Sequence, residues 1–363
     1  MNITIVAGAR PNFMKIAPII AAIEKKQKEG FNLQYRLVHT GQHYDKNLSD
    51  TFFEELHIPY PDINLEVKSG TQAQQTAAIM IGFENELKRN PCDLVLVVGD
   101  VTSTMACTIV AKKEGVKVAH IEAGIRSGDM TMPEEINRIV TDSLTDYFFT
   151  TSTYANQNLK DSGVPDQAIY FVGNVMIDTL LKNEKRFSKP EIWHTLDLKE
   201  KQYLVMTMHR PSNVDEEHQL EKLITTIVKK SDQTPIIFPV HPRTEKMLKN
   251  LNLDFEKLHL VAPLGYLEFN YLVKHSKGVL TDSGGITEET TVMNVPCITL
   301  RENTERPETC ELGTNILVGH DLSQLDLALD DLLSNKCKEG SIPELWDGKA
   351  AERIVNQIIQ IYL

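Results

Sequence analysis

Short apolar runs rich in β-branched residues recur along this chain, separated by stretches with helical periodicity. In the first half the runs predict strands at Ile3–Ala7, Tyr35–Thr40, Leu94–Val98, Val116–Ile121, Tyr147–Thr150 and Ile169–Phe171. A second set follows Gly173, at Tyr203–Thr207, Ile236–Val240, Leu258–Val261, Gly278–Leu280, Cys297–Leu300 and Ile316–Leu317. Continuous apolar runs, rather than strict alternation, mean strands covered on both faces, hence parallel sheets. The intervening segments are long enough for crossover helices. The pattern therefore predicts an α/β protein with two Rossmann-like doubly wound domains in tandem. The expected domains are 1–172 and 173–346, joined near Gly173-Asn174, with the charged stretch 182–199 as a surface excursion. Residues 347–363 place Ile354, Val355, Ile358, Ile359 and Leu363 at helical spacing, which predicts a helix packing back on the first domain. Open parallel sheets bind ligands beyond the carboxyl ends of their strands, so the two such edges are expected to face a central cleft.

Composition narrows the function. The net charge of -12 argues against a general nucleic-acid surface, which needs clustered Lys and Arg. No apolar run approaches the length of a membrane helix, and the chain opens directly into a strand, so a cytoplasmic protein is expected. Five scattered cysteines without a CxxC fit reduced thiols rather than a disulfide or zinc framework.

The candidate chemistry collects at strand ends. The stretch HIEAGIRSGDMTMPEEINR, residues 120–138, puts Glu122, Glu134, Arg126 and Arg138 around a glycine-containing loop just after a buried strand. Asp100, in VVGDVTS, ends the preceding strand; it is either a helix cap or a second acid beside Glu122. Glu135 in PEEINR is best explained by helix capping and an ion pair, leaving Glu134 as the acid with chemistry to do. GARPNFMK, residues 8–15, supplies Arg10 and Lys15 at a strand-to-helix turn suited to an anion, and it lacks the dinucleotide GxGxxG.

In the second half, MHRPSN offers His209 and Arg210 after a strand, and FPVHPR offers His241 in the same position one strand later. LTDSGGITEE runs from a strand through Ser283, Gly284 and Gly285 into a helix, where backbone N–H groups can receive phosphate. Glu289 follows at the offset where a carboxylate can accept ribose hydroxyls. RENTERPE adds Arg306, whose structural alternative is ion pairing with a neighbouring glutamate. His120 and Glu122 share a strand face but lack a third metal-ligand candidate, so no metal is expected.

Taken together and in this order, the motifs GARPNFMK, GDVTSTMA, HIEAGIRSGD, MPEEINR, MHRPSN, FPVHPR, DSGGITEE and ERPE resemble the non-hydrolysing UDP-N-acetylglucosamine 2-epimerase family over essentially the whole chain. The resemblance implies a glycosyltransferase-B-like fold, a homodimer, and interconversion of UDP-GlcNAc and UDP-ManNAc for bacterial cell-surface polysaccharide synthesis, without a cofactor. It implies Asp100, Glu122 and Glu134 as catalytic carboxylates with His209 in support, and Arg10, His209, Ser283, Gly284 and Glu289 as nucleotide-binding positions. Where members activated by substrate carry polar and basic groups at a second site, this chain has Asp45, Gly70 and Pro211, so weak substrate activation is expected.

The chemistry fits those residue types. The C2–H of the sugar lies beside no carbonyl, so it becomes acidic only as UDP leaves C1. Elimination gives 2-acetamidoglucal and UDP; re-addition with protonation of the other face inverts C2. A base and an acid are needed, each contributing roughly 10²–10⁴-fold. Three alternatives share such a site: a hydrolysing epimerase releasing ManNAc and UDP, a 2-epimerase of a modified UDP-sugar such as a diacetamido uronic acid, and a non-catalytic nucleotide-sugar-binding protein. A glycosyltransferase is also compatible with the fold.

Overall fold

The computed structural model describes residues 1–41, 55–214, 217–231, 233–240, 245, 248 and 256–362. Thirteen strands among them form two wholly parallel sheets. The first contains β1 (Asn2–Ala7), β2 (Gln34–His39), β3 (Ile63–Asn64), β4 (Leu94–Val98), β5 (Lys117–Ile121), β6 (Tyr147–Thr150) and β7 (Ile169–Phe171), in the order β3-β2-β1-β4-β5-β6-β7. The second contains β8 (Leu204–Thr207), β9 (Ile236–Pro239), β10 (Leu258–Val261), β11 (Gly278–Thr281), β12 (Cys297–Thr299) and β13 (Asn315–Leu317), in the order β10-β9-β8-β11-β12-β13. Both follow the Rossmann order, in which the chain direction across the sheet reverses beside the first strand. The reversal falls between β1 and β4 in one sheet and between β8 and β11 in the other.

Two-sided burial explains why the strands are legible as apolar runs. Along β8, Leu204 and Met206 enter one core with Leu220, Ile224, Ile236, Phe238, Leu280 and Leu329. Their alternating neighbours Tyr203 and Val205 enter the opposite core with Ile237, Leu272, Val279 and Val295. Successive strand residues point to opposite faces, so a strand covered twice must be apolar at every position. All five residues of β4 are buried for this reason. The short edge strand β3 has only half-buried residues and no such signature.

The chain divides into two compact units, Met1–Lys182 with Glu344–Leu363, and Asn183–Pro343. The first boundary therefore falls after Lys182 rather than after residue 172, and the return begins at Glu344 rather than at 347. A clamp inside the first unit accounts for both shifts. Asp178, on the helix Val175–Asn183, accepts the backbone N–H of Ala350 at 3.0 Å and of Ala351 at 2.7 Å, at the start of the final helix Ala350–Tyr362. Trp346 Nε1 donates to the Thr151 carbonyl at 3.0 Å, and Arg353 to the Val172 carbonyl at 3.0 Å. Gly173 has φ +90°, and a Cβ there would lie 2.1 Å from the Leu345 carbonyl oxygen, so the two segments need a glycine to approach. The final helix buries Ala350, Ala351, Ile354, Val355 and Ile358 and packs on the helix Arg10–Lys28. Among the described residues no helix is long and apolar enough to cross a membrane.

Candidate active site

In the first unit, the acids stand where β4 and β5 end, on one side of the chain reversal. Val98 and Ile121 are register partners, so Asp100 and Glu122 leave neighbouring strands at nearly the same height. Each has its own cation. Glu122 is buried and accepts from Lys15 Nζ at 2.5 Å; Asp100 accepts from Arg138 at 2.5 Å. Asp100 is therefore not simply a helix cap, and the N-cap position of the helix Thr102–Lys113 falls one residue later, on Val101. Glu122 has φ +67°, a left-handed conformation that a non-glycine residue holds only when its surroundings fix it.

Glycines make room for the acids. Gly99 has φ +68°, and a Cβ there would lie 3.2 Å from Lys15 Nζ and 3.5 Å from Glu122 Oε2. A Cβ on Gly8 would sit 2.2 Å from Ser103 Oγ, so the β1 turn lies against the helix that follows Asp100. Asn12 ties these turns together. Its Oδ1 accepts from the N–H groups of Gly8 and Ala9, each at 3.0 Å, and its Nδ2 donates to the Val98 carbonyl at 3.1 Å. Asn12 was not a sequence candidate, because a short polar residue in a turn has many ordinary explanations.

The PEEINR segment opens the helix Pro133–Leu144 and divides its labour. Glu135 is buried and accepts from the N–H groups of Ser127 and Gly128 at 2.9 and 3.1 Å, and from Arg138 at 3.0 Å. Burial opposes its ionisation, but these hydrogen bonds win and hold its pKa below the ordinary value. Arg138, itself buried, reaches both Glu135 and Asp100, while Asn137 donates to the Asp100 carbonyl at 2.8 Å. Glu134 is half-buried, and among the described residues its side chain makes neither an ion pair nor a hydrogen bond. Lys15 and Arg138, expected as substrate contacts, thus stand engaged by the two candidate acids. Arg10 begins its helix directly after the β1 turn.

In the second unit the equivalent position is organised by Asp282, which sequence reasoning passed over inside the DSGG motif. It is fully buried after β11 and accepts from the N–H of His209 at 3.0 Å, the N–H of Arg210 at 2.9 Å and Asn213 Nδ2 at 3.0 Å. Its other oxygen lies 2.8 Å from His209 Nδ1. Burial alone would raise its pKa; the His209 contact and these donors outweigh it and lower the value. His209 is thereby oriented, yet its side chain remains 63% exposed and available to a ligand.

Ser283 occupies the N-cap position of the helix Gly284–Val292 without a side-chain capping hydrogen bond, and the helix opens with Gly284 and Gly285. Beside them Arg301 grips Glu305 through two bonds of 2.8 and 2.9 Å, with Arg210 at 3.6 Å from the same carboxylate. Arg306 pairs with Glu288. Glu289, one position on, is buried and accepts from Tyr266 OH at 2.8 Å; burial pushes its pKa up to about 7. His241 and Asp45 lie outside the described residues; Gly70 precedes the cap Thr71 of the helix Gln72–Arg89. The two halves thus hold complementary equipment: paired acids in the first, and a histidine, arginines and a glycine-led helix N-terminus in the second.

Comparison with known proteins identifies the family. The family model described as UDP-N-acetylglucosamine 2-epimerase matches residues 24–359. A UDP-N-acetylglucosamine 2-epimerase of Methanocaldococcus jannaschii is 41% identical over 365 residues, 98% of each chain. The crystal structure of the Methanocaldococcus jannaschii UDP-GlcNAc 2-epimerase in complex with UDP-GlcNAc and UDP superposes with a TM-score of 0.88 at 40% identity, covering 99% of this chain and 100% of that one. A UDP-2,3-diacetamido-2,3-dideoxy-D-glucuronate 2-epimerase of Pseudomonas aeruginosa is 39% identical over 322 residues, 88% of each. With the family model spanning nearly the full length and the motifs in place on both sheets, the chain belongs to the UDP-N-acetylglucosamine 2-epimerase family.

Proposed function

We propose that this protein inverts C2 of UDP-N-acetylglucosamine reversibly, giving UDP-N-acetylmannosamine, by eliminating and re-adding UDP. The observation that carries the reading is the pair of acids on adjacent strand ends, Asp100 held by Arg138 and Glu122 held by Lys15. A carboxylate takes the C2 proton, the C–H electrons form the C1–C2 double bond, and the C1–O bond breaks to release UDP. The second acid then protonates C2 of 2-acetamidoglucal from the other face as UDP returns to C1. Asp100, Glu122 and Glu134 share these proton transfers. In the second unit Ser283, Gly284 and Gly285 offer backbone N–H groups and a helix N-terminus to the diphosphate, His209 and Arg210 stabilise the departing negative charge, and Glu289 accepts the ribose hydroxyls. Arg10 adds a cation to the diphosphate.

The reaction is run with UDP-GlcNAc in D₂O and followed by NMR. Product carrying deuterium at C2, with ManNAc still joined to UDP, is expected. Full retention of the original C2 proton eliminates this mechanism, and free ManNAc as the initial product assigns a hydrolysing enzyme. The Pseudomonas aeruginosa relative supports a second reading, a UDP-diacetamido uronic acid as substrate, which a panel of UDP-sugars separates by kcat/KM. We place the protein in the cytoplasm, supplying surface-polysaccharide synthesis as a homodimer. Exposed Ile136 and Ile139 on one helix face, with exposed Met130 and Ile81 on the same unit, support self-association. Sedimentation at micromolar concentration tests the dimer.

A further inference from the structure

One buried side chain joins the two acid-bearing turns without touching either acid. His120, in β5, is 0% exposed. Its Nε2 lies 2.8 Å from the carbonyl oxygen of Gly99, the residue before Asp100. Its Nδ1 lies 2.7 Å from Asp142 Oδ1. The other oxygen of Asp142 accepts from the Gly124 N–H at 3.1 Å and from Arg126 at 2.7 Å. The imidazole thus links the end of β4 to the segment that follows Glu122.

Both turns need such a link. Gly99, Glu122 and Gly124 all have left-handed backbone, at φ +68°, +67° and +80°. Glu122 has a Cβ and therefore carries backbone strain that its surroundings must sustain. The hydrogen-bond pattern also defines the charge on the ring. A carbonyl oxygen only accepts, so Nε2 carries a hydrogen. Asp142 is buried, but its second oxygen accepts from the Arg126 guanidinium at 2.7 Å and from the Gly124 N–H at 3.1 Å, donors that favour the carboxylate, so it is ionised. An ionised carboxylate only accepts as well, so Nδ1 also carries a hydrogen.

We propose that His120 is a buried imidazolium and a positioning residue for the reaction, fixing Asp100 through the Gly99 carbonyl and the turn behind Glu122 through Asp142. It neither touches substrate nor moves a proton. Its role is to present two donors in opposite directions at fixed separation. A neutral histidine has one donor, and a glutamine would aim its carbonyl oxygen at another acceptor. The inference rests on the epimerase reading for its kinetic consequence, and on geometry alone for the protonation state.

The test uses the whole chain labelled with ¹⁵N-histidine. The expected spectrum shows a ring with both nitrogens protonated at pH 8, in slow exchange with solvent, that disappears in His120→Gln. In that variant kcat should fall about 10–100-fold, the scale of a small misplacement of reacting groups. KM and UDP affinity should stay within about threefold, since no ligand contact is removed. Asp142→Asn provides a second route: without the anion, the assigned ring should lose one proton. A single-protonated His120 in the unsubstituted protein, an Asp142→Asn ring that stays doubly protonated, or wild-type kcat in His120→Gln would overturn the proposal. A loss confined to KM or UDP affinity would overturn it too. If the unsubstituted protein turns over no UDP-sugar, the epimerase reading fails, while the spectrum still decides the state of His120.

Discussion

Removing the cation from the Lys15–Glu122 pair should be among the most damaging single changes in the first unit. The side chains are 13% and 2% exposed, and Nζ lies 2.5 Å from Oε2. At an effective dielectric of about 20 the attraction is roughly 7 kcal/mol, before the offsetting loss of hydration on burial. Lys15→Met leaves that hydration loss in place and removes the attraction, so a destabilisation of about 3–5 kcal/mol is expected. Glu122→Gln should be milder, about 1–2 kcal/mol, because the less buried lysine can turn toward water. The double variant should recover most of the damage, with a coupling of about 2–3 kcal/mol between the two sites. Urea unfolding of the four proteins at pH 7.5 measures the cycle. Repeating it in 0.5 M salt checks burial, since a buried pair is weakly screened. Additive effects, or a Lys15→Met penalty under about 1 kcal/mol, would refute the argument and recast the pair as a surface contact.

Three further outcomes follow from the cited groups. Burial pushes the Glu289 pKa up to about 7, and the proposed ribose contact needs its carboxylate form, so calorimetric UDP affinity should rise between pH 6 and 8. Glu289→Ala should weaken UDP binding about 10–100-fold at pH 8 and flatten that pH dependence; unchanged affinity removes Glu289 from the site. Glu308 is buried, burial raises its pKa to about 7, and its carboxylate oxygens have no hydrogen-bond partner from another described residue. The folded state therefore keeps a proton that the unfolded state gives up, so this group's contribution to stability falls as pH rises from about 4.5 to about 7. Glu308→Gln should stabilise the protein by about 1–3 kcal/mol at pH 8 and hardly at all at pH 4.5; an equal effect at both pH values contradicts the assignment. Asp178→Asn should cost about 1–2 kcal/mol and speed hydrogen exchange selectively in the helix Ala350–Tyr362, because the amide keeps one acceptor where two backbone N–H groups converge. Exchange unchanged in that helix would show that the clamp does not anchor it.

The sequence alone determined the layers and the positions of chemistry. Strands covered on both faces must be apolar at every residue, and Leu94–Val98 was bounded correctly for that reason. Asp100, Glu122, His209 and Ser283 were visible because polar residues directly after such runs stand out against buried neighbours. Tertiary structure decided what those groups face. Nothing in the local pattern says that Arg138 reaches Asp100, that Lys15 crosses from another helix to Glu122, or that Glu288 engages Arg306. Asp282 and Asn12 escaped notice because their roles lie in holding turns from distant segments together. The two-residue strand β3, half-buried at a sheet edge, left no pattern, and the unit boundary depends on the contact of Asp178 with residues about 170 positions away. Hydrophobic periodicity is written locally, by which side of an element meets solvent. Ion pairs and backbone anchors depend on which elements the fold brings together, and that information enters only when the sheets are assembled.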